Sequence, residues 1–159
     1  MRRPSRGSNR RRSVRGNAIL EFSLTSTVFL GLLFACADFA LTIYGRSILH
    51  NAIREGSRYA TTAQTMDGMG HDDSIREFIR QRSIGLLSSS DLDKISIQYY
   101  TPDGSTEVNE NAAGNLVKIS LNGHYFTPLG AFMRSNAPIS LDTTNVDVME
   151  PFEGAPPSR

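Results

Sequence analysis

The chain of 159 residues carries one cysteine, Cys36, which excludes an internal disulfide framework. Cys36 lies in an apolar run and reads as a small buried hydrophobe rather than a functional thiol. No proline occurs between Pro4 and Pro102, so nothing over that stretch obliges a helix to break. The histidines His50, His71 and His124 are scattered, with no cysteine at ligand spacing, and read as surface or packing residues rather than metal ligands. There is no glycine-rich phosphate loop, no HExxH, no cysteine pair and no G-x-S-x-G. The adjacent acids Asp72 and Asp73 follow a Gly-rich loop and read as a helix start, not an acid/base pair. The sequence therefore points away from an enzyme, from a cofactor and from a small-molecule substrate.

Acid is also missing from the first sixteen residues, where seven arginines fall, including Arg10, Arg11, Arg12 and Arg15. From Asn17 onward there are ten basic and sixteen acidic residues, a net of −6. A basic tail on an acidic body suits either a nucleic-acid arm or a topological signal beside a membrane segment. No aromatic side chain interleaves the arginines to stack a base, so nucleic acid is not the expected partner. Residues 1–16 hold almost nothing apolar and read as a basic leader, disordered until bound or removed.

The apolar run explains the arginines better. From Ala18 to Ala37 only Glu21 carries charge, and twenty helical residues span about 30 Å, the depth of a bilayer's hydrocarbon core. No second long apolar helix is present to bury this one in a soluble core. Arginines resist translocation, so the leader is expected in the cytoplasm and residues from about Arg46 onward outside. An ordinary secretory signal would place its small-residue cleavage site after the apolar core and no acid within it. Here the small residue, Gly16, comes first. Asp38, about 25 Å along the helix from Glu21, marks the outer interface or meets a partner helix.

Past the membrane, Ile48, Leu49, Ala52, Ile53, Tyr59 and Ala60 recur at three- to four-residue spacing, with Arg46, Asn51, Arg54, Glu55 and Arg58 on the other face. The pattern predicts one helix from about Asn17 to Ala63: membrane-spanning over 17–44, amphipathic over 45–63, with Gly45 and Gly56 as weak points. Arg54 and Arg58 share a face, and Glu55 and Arg58 form an i,i+3 pair. That face reads equally as a solvated surface or as a subunit contact where Gly56 admits another backbone. A domain over 64–150 follows. Ser74 with Glu77 suggests a capping box opening a short helix that ends at Gly85 or the Ser88–Ser90 run. Ile95, Ile97 and Tyr99 alternate like a strand, Pro102-Asp103-Gly104 is a turn, and Val117, Ile119 and Leu121 alternate again. Ile139–Leu141 and Val146–Val148 are weaker strand signals, and residues 151–159 read as a flexible tail. The fold class expected is α+β: a long N-terminal spine helix with a small antiparallel sheet packed on its outer half.

Arg15-Gly16, then four residues, then Glu21-Phe22 and a long apolar run resembles the class III signal of type IV pilins and pseudopilins. With Asp38 late in the helix and Asn51-Ala52-Ile53-Arg54-Glu55-Gly56-Ser57-Arg58-Tyr59-Ala60 beyond it, residues 15–63 resemble the TadE-like family, minor pseudopilins of the tight-adherence (Flp) pilus. The resemblance implies cutting between Gly16 and Asn17 by a prepilin peptidase, with Glu21 becoming the fifth residue of the mature chain. It implies an inner-membrane protein that helps assemble a surface pilus, with the bilayer, the peptidase, and other pilus-assembly and minor pilin subunits as partners. Glu21 and Phe22 would serve assembly, and Asp38, Arg54, Glu55, Gly56 and Arg58 would be candidate helix contacts. The physics is consistent: a carboxylate at membrane depth costs roughly 3 kcal/mol unless neutralised, and an ammonium freed at Asn17 can neutralise it across subunits and fix their register. Two other readings stand beside this one, a type II secretion-like pseudopilin and an uncleaved signal-anchored envelope protein.

Overall fold

The computed structural model describes residues 10–126, 139–152 and 156–159, with backbone alone for 10–16 and 126. The first helix, α1, spans Arg10–Thr61 without interruption at Gly45 or Gly56. It begins seven residues before the expected Asn17, inside the segment read as a disordered leader. Arginine is a good helix former, and no proline lies between Arg10 and Asn17 to prevent the earlier start. The chain forms two compact units, one ending at Ala40 and the other comprising Leu41–Arg159.

In the first unit the helix is apolar on all sides. Ile19, Leu20, Phe22 and Leu24 are 67–73% exposed. An 18-residue window of α1 reaches a mean hydropathy of 1.9 with none of it buried. Two of its hydroxyls are satisfied within the helix: Ser23 Oγ donates to the Ile19 carbonyl and Thr27 Oγ1 to that of Ser23, each at 2.8 Å. That arrangement suits an apolar medium, where no water would serve them. Cys36 is exposed here, not buried within the protein.

The second unit has its own core. A second helix, α2, spans His71–Arg82, and a 3-10 turn covers Ser89–Lys94. Strands β1 (Ile95–Tyr100), β2 (Glu107–Val108), β3 (Leu116–Leu121) and β6 (Thr143–Val148) form an antiparallel sheet in the order β2-β1-β3-β6. The short strands β4 (Tyr125–Phe126) and β5 (Ile139–Ser140) pair separately. Pairing of Ile95 with Leu121, Ile97 with Ile119 and Tyr99 with Val117 puts six apolar side chains on one face. They join Leu49, Ala52, Ile53 and Ala60 of α1 and Ile75 and Ile79 of α2 in one buried cluster. The expected α+β architecture, with the sheet on the amphipathic part of the helix, is the one observed.

Three local expectations are corrected. The Ser74–Glu77 capping box does not form, because α2 opens earlier, at His71, where Asp72 and Asp73 complement the helix dipole. Ser74 Oγ instead donates to the Gly70 carbonyl and accepts from the Met66 N–H, at 2.8 and 2.9 Å. A capping box does occur at Ser88 and Asp91, on the 3-10 turn. The helix ends at Arg82, ahead of Gly85, since Ile84 and Gly85 both take positive φ, 53° and 81°. The strand signal at Val146–Val148 is borne out as part of β6, where Val146 and Val148 lie opposite Lys118 and Leu116 and are 52% and 51% exposed. The inward set of β3 fixes that register, and a one-residue slip would reverse it. Finally, the segment read as a flexible tail is held at 156–159, as described below.

Candidate functional site

The sequence-derived site residues fall into two groups. Gly16 and Asn17 lie within α1 as helical backbone, and Glu21 and Phe22 follow one turn later, both exposed. Asp38 is half-buried near the end of the first unit. Arg10, Arg11, Arg12 and Arg15 belong to the part of α1 described by backbone alone. Asn17 and Glu21 are four residues apart, about 6 Å along the axis.

The second group, on the outer part of α1, divides by face. Arg54 and Arg58 are exposed. Glu55 is also exposed, but its partner is Arg82 of α2, at 3.1 Å, rather than the expected Arg58. Gly56 is buried, and a Cβ there would come within 2.3 Å of Cγ1 and 2.7 Å of Cδ1 of Ile79. A close approach thus exists at Gly56, made by a side chain of α2 in the same chain, where one of the two readings of this face expected another backbone. Tyr59 stacks on Phe78 with ring centroids 4.5 Å apart and planes 12° from parallel. The Arg82 guanidinium lies 5.1 Å from the Phe78 centroid on its way to Glu55. The Arg-Glu-Gly-Ser-Arg-Tyr run thus uses one face to seat α2 and the other to present Arg54 and Arg58.

Beside this junction is a shallow cavity of about 300 Å³ lined by Glu55, Arg58, Tyr59, Thr62, Gln64 and Phe78. Its floor is aromatic and its rim carries both charges. Partial burial raises the Tyr59 phenol above its ordinary value. On α2, the hydrogen bond from Arg80, with help from Gln81, holds the Glu77 carboxyl at about 2. Among the described residues no three of His, Cys, Asp and Glu gather as a metal site.

Sequence reasoning missed two features. The Phe78 and Arg82 pair was visible as an i,i+4 aromatic–cation spacing on the short helix. The contact of Arg159 with Asp72 joins positions 87 apart, and no local pattern announces it.

The family model for TadE-like protein matches residues 16–58, a little over a quarter of the chain. No curated protein and no solved structure matches the chain. The match ties this segment to a structural, pilus-associated family, and the exposed apolar helix fits a single-pass membrane anchor by length and composition.

Proposed function

We propose that this chain, TadE-like over residues 16–58, is a minor pseudopilin that helps assemble a tight-adherence pilus. Its leader faces the cytoplasm, its apolar helix crosses the inner membrane, and its α+β unit lies outside. A prepilin peptidase cuts between Gly16 and Asn17, and the new Asn17 amine meets the Glu21 carboxylate of a neighbouring subunit. The role is structural, with other pilus-assembly and minor pilin subunits as partners.

The observation that carries the reading is the junction-to-acid spacing. Gly16, the first residue matched, precedes Glu21 by five positions, and Glu21 is the only charge in the apolar run from Ala18 to Ala37. Such an acid needs a counter-charge at membrane depth, and cleavage would create one a single turn away. Removal of a conventional signal after the apolar core, at Ala35 or Ala37, would instead cut through α1, a helix that runs on to Thr61. Gly16 and Asn17 are both weak helix formers, which lowers the cost of opening the backbone at the junction.

Mass spectrometry of the protein extracted from membranes tests the reading. A mature chain beginning at Asn17 is expected. An intact leader, or cutting after Ala35 or Ala37, overturns it. Glu21→Ala should leave processing largely intact and abolish pilus assembly.

A further inference from the structure

Helix α2 has no side-chain cap. Gly70 precedes it, and the first helical N–H, that of His71, donates instead to the Ser158 carbonyl at 2.7 Å. That contact is one of a set that holds residues 157–159 in an extended groove. Asn111 Nδ2 donates to the Pro157 carbonyl at 3.0 Å. Arg159 directs Nε and Nη2 to Asp72 Oδ2, at 3.0 and 2.8 Å, and Nη1 to the Asn109 carbonyl at 3.0 Å. Its guanidinium lies 4.8 Å from the centroid of the Tyr99 ring.

The receptor side is also tied together by its own hydrogen bond. Tyr99, wholly buried, donates its hydroxyl to Asp72 Oδ1 at 3.0 Å, which orients the carboxylate. Asp72 is 8% exposed and Asn111 3%. Gly70 clears the floor: a Cβ there would stand 2.8 Å from the Arg159 carbonyl carbon. A planar guanidinium with several donors, clamped between a fixed carboxylate, a carbonyl and an aromatic face, is recognition that lysine does not reproduce. Backbone acceptors at the two preceding residues add direction and register. Without the segment the His71 N–H loses its acceptor and Asp72 its ion-pair partner, and regaining both favours occupancy.

We propose that this groove is a peptide-recognition site for an extended Pro-Ser-Arg segment, filled in this structure by the chain's own residues 157–159. The segment acts as a clasp that completes the start of α2, and the site reads arginine through Asp72 and Tyr99. The inference is independent of cleavage at Gly16 and of any role in a pilus.

The test uses the full chain in detergent beside a variant lacking residues 156–159. A fluorescein-labelled Ala-Pro-Pro-Ser-Arg peptide is titrated against each and followed by fluorescence anisotropy. Saturable binding to the shortened chain is expected, with little to the full chain, whose groove is occupied. Asp72→Asn in the shortened chain, or lysine for arginine in the peptide, should weaken binding about tenfold or more. A folded shortened chain that fails to bind, or binding that ignores either change, overturns the proposal. Should the shortened chain not fold, Arg159→Ala in the full chain gives a second reading. Amide exchange at His71 should speed up about tenfold or more while that of Ile119 in the sheet holds. Unchanged exchange at His71 overturns the proposal as well.

Discussion

The two units of this chain handle apolar side chains in opposite ways. In the first, Phe22 is 73% exposed and Leu33 50%, and the helix offers apolar groups in every direction. In the second, Ile53 and Ile119 are 1% and 0% exposed, and α1, α2 and the sheet bury them against one another. One region finds its partner inside the chain, and the other needs an apolar phase from outside, a bilayer or neighbouring helices. The difference also bears on where family likeness falls. The match over residues 16–58 covers the outward-facing helix and just enough of the next turns to seat α2. A surface that must fit a shared membrane and shared partners is constrained by them, whereas an internal core can be refilled by any side chains of suitable volume.

The strongest way to break this comparison is to truncate one side chain in each region. Ile53→Ala should cost roughly 2–5 kcal/mol in urea unfolding of the second unit, read by the near-ultraviolet signal of buried Tyr99. Leu33→Ala, from an exposed site, should move the same transition by less than about 0.5 kcal/mol. Equal losses would mean that the apolar helix is part of the same core.

Gly56→Ala sharpens the boundary. A methyl group should gain about 1 kcal/mol in helix propensity, but it would sit 2.3 Å from Cγ1 of Ile79, a β-branched side chain that is fully buried and has nowhere to swing. Overpacking of this kind costs about 1–3 kcal/mol, so a net loss of about 1 kcal/mol is expected. Adding Ile79→Ala should make the double variant more stable than the sum of the two single losses, because the clash goes with Cγ1. Strict additivity would show that Gly56 does not serve the α1–α2 contact.

How much of this was legible beforehand follows from the range of the forces. Periodicity along the chain gave the helix across Gly45 and Gly56 and the strands β1 and β3, because each writes its burial into consecutive residues. The face of β6 was not legible, since the register belongs to β3. Nor was the start of α2: Ser74 and Glu77 fit the capping pattern, yet the His71 N–H is satisfied by Ser158, far along the sequence. The intramolecular use of Gly56 was half legible. A glycine amid good helix formers signals close approach, but only the packed structure says that Ile79 makes it.

Acid should weaken the second unit. Burial pushes His71 below its ordinary 6.5, the Gln64 and Ala60 carbonyls and Asp72 pull it up in part, and Arg159 opposes the proton. The Arg80 and Gln81 hydrogen bonds hold Glu77 at about 2, against an ordinary 4.5. Both folded values lie below the unfolded ones, so each group contributes stability that is present above its unfolded value and lost as pH falls toward the folded one. The urea midpoint should therefore decline below about pH 6.5, through His71, and again below about 4.5, through Glu77. His71→Gln should flatten the first step and leave the second. A midpoint that stays level from pH 7.5 to 3.5 would remove both groups from the account.

The smallest effect expected is that of Glu55→Gln. Its ion pair with Arg82 spans 3.1 Å, but the two side chains are 52% and 56% exposed, so water and salt screen most of the attraction. The second unit should lose no more than about 0.5 kcal/mol, and less in high salt. That near-silence is useful, because Glu55 lies on the rim of the cavity beside Arg58 and Tyr59. A stability change this small cannot by itself account for a failure to assemble. If Glu55→Gln leaves unfolding unchanged and still lowers the proposed pilus assembly, the second unit also has a face whose partner lies beyond the chain. If assembly is unchanged too, the outward-facing role stays with the apolar helix, and the contrast between the two units holds in full.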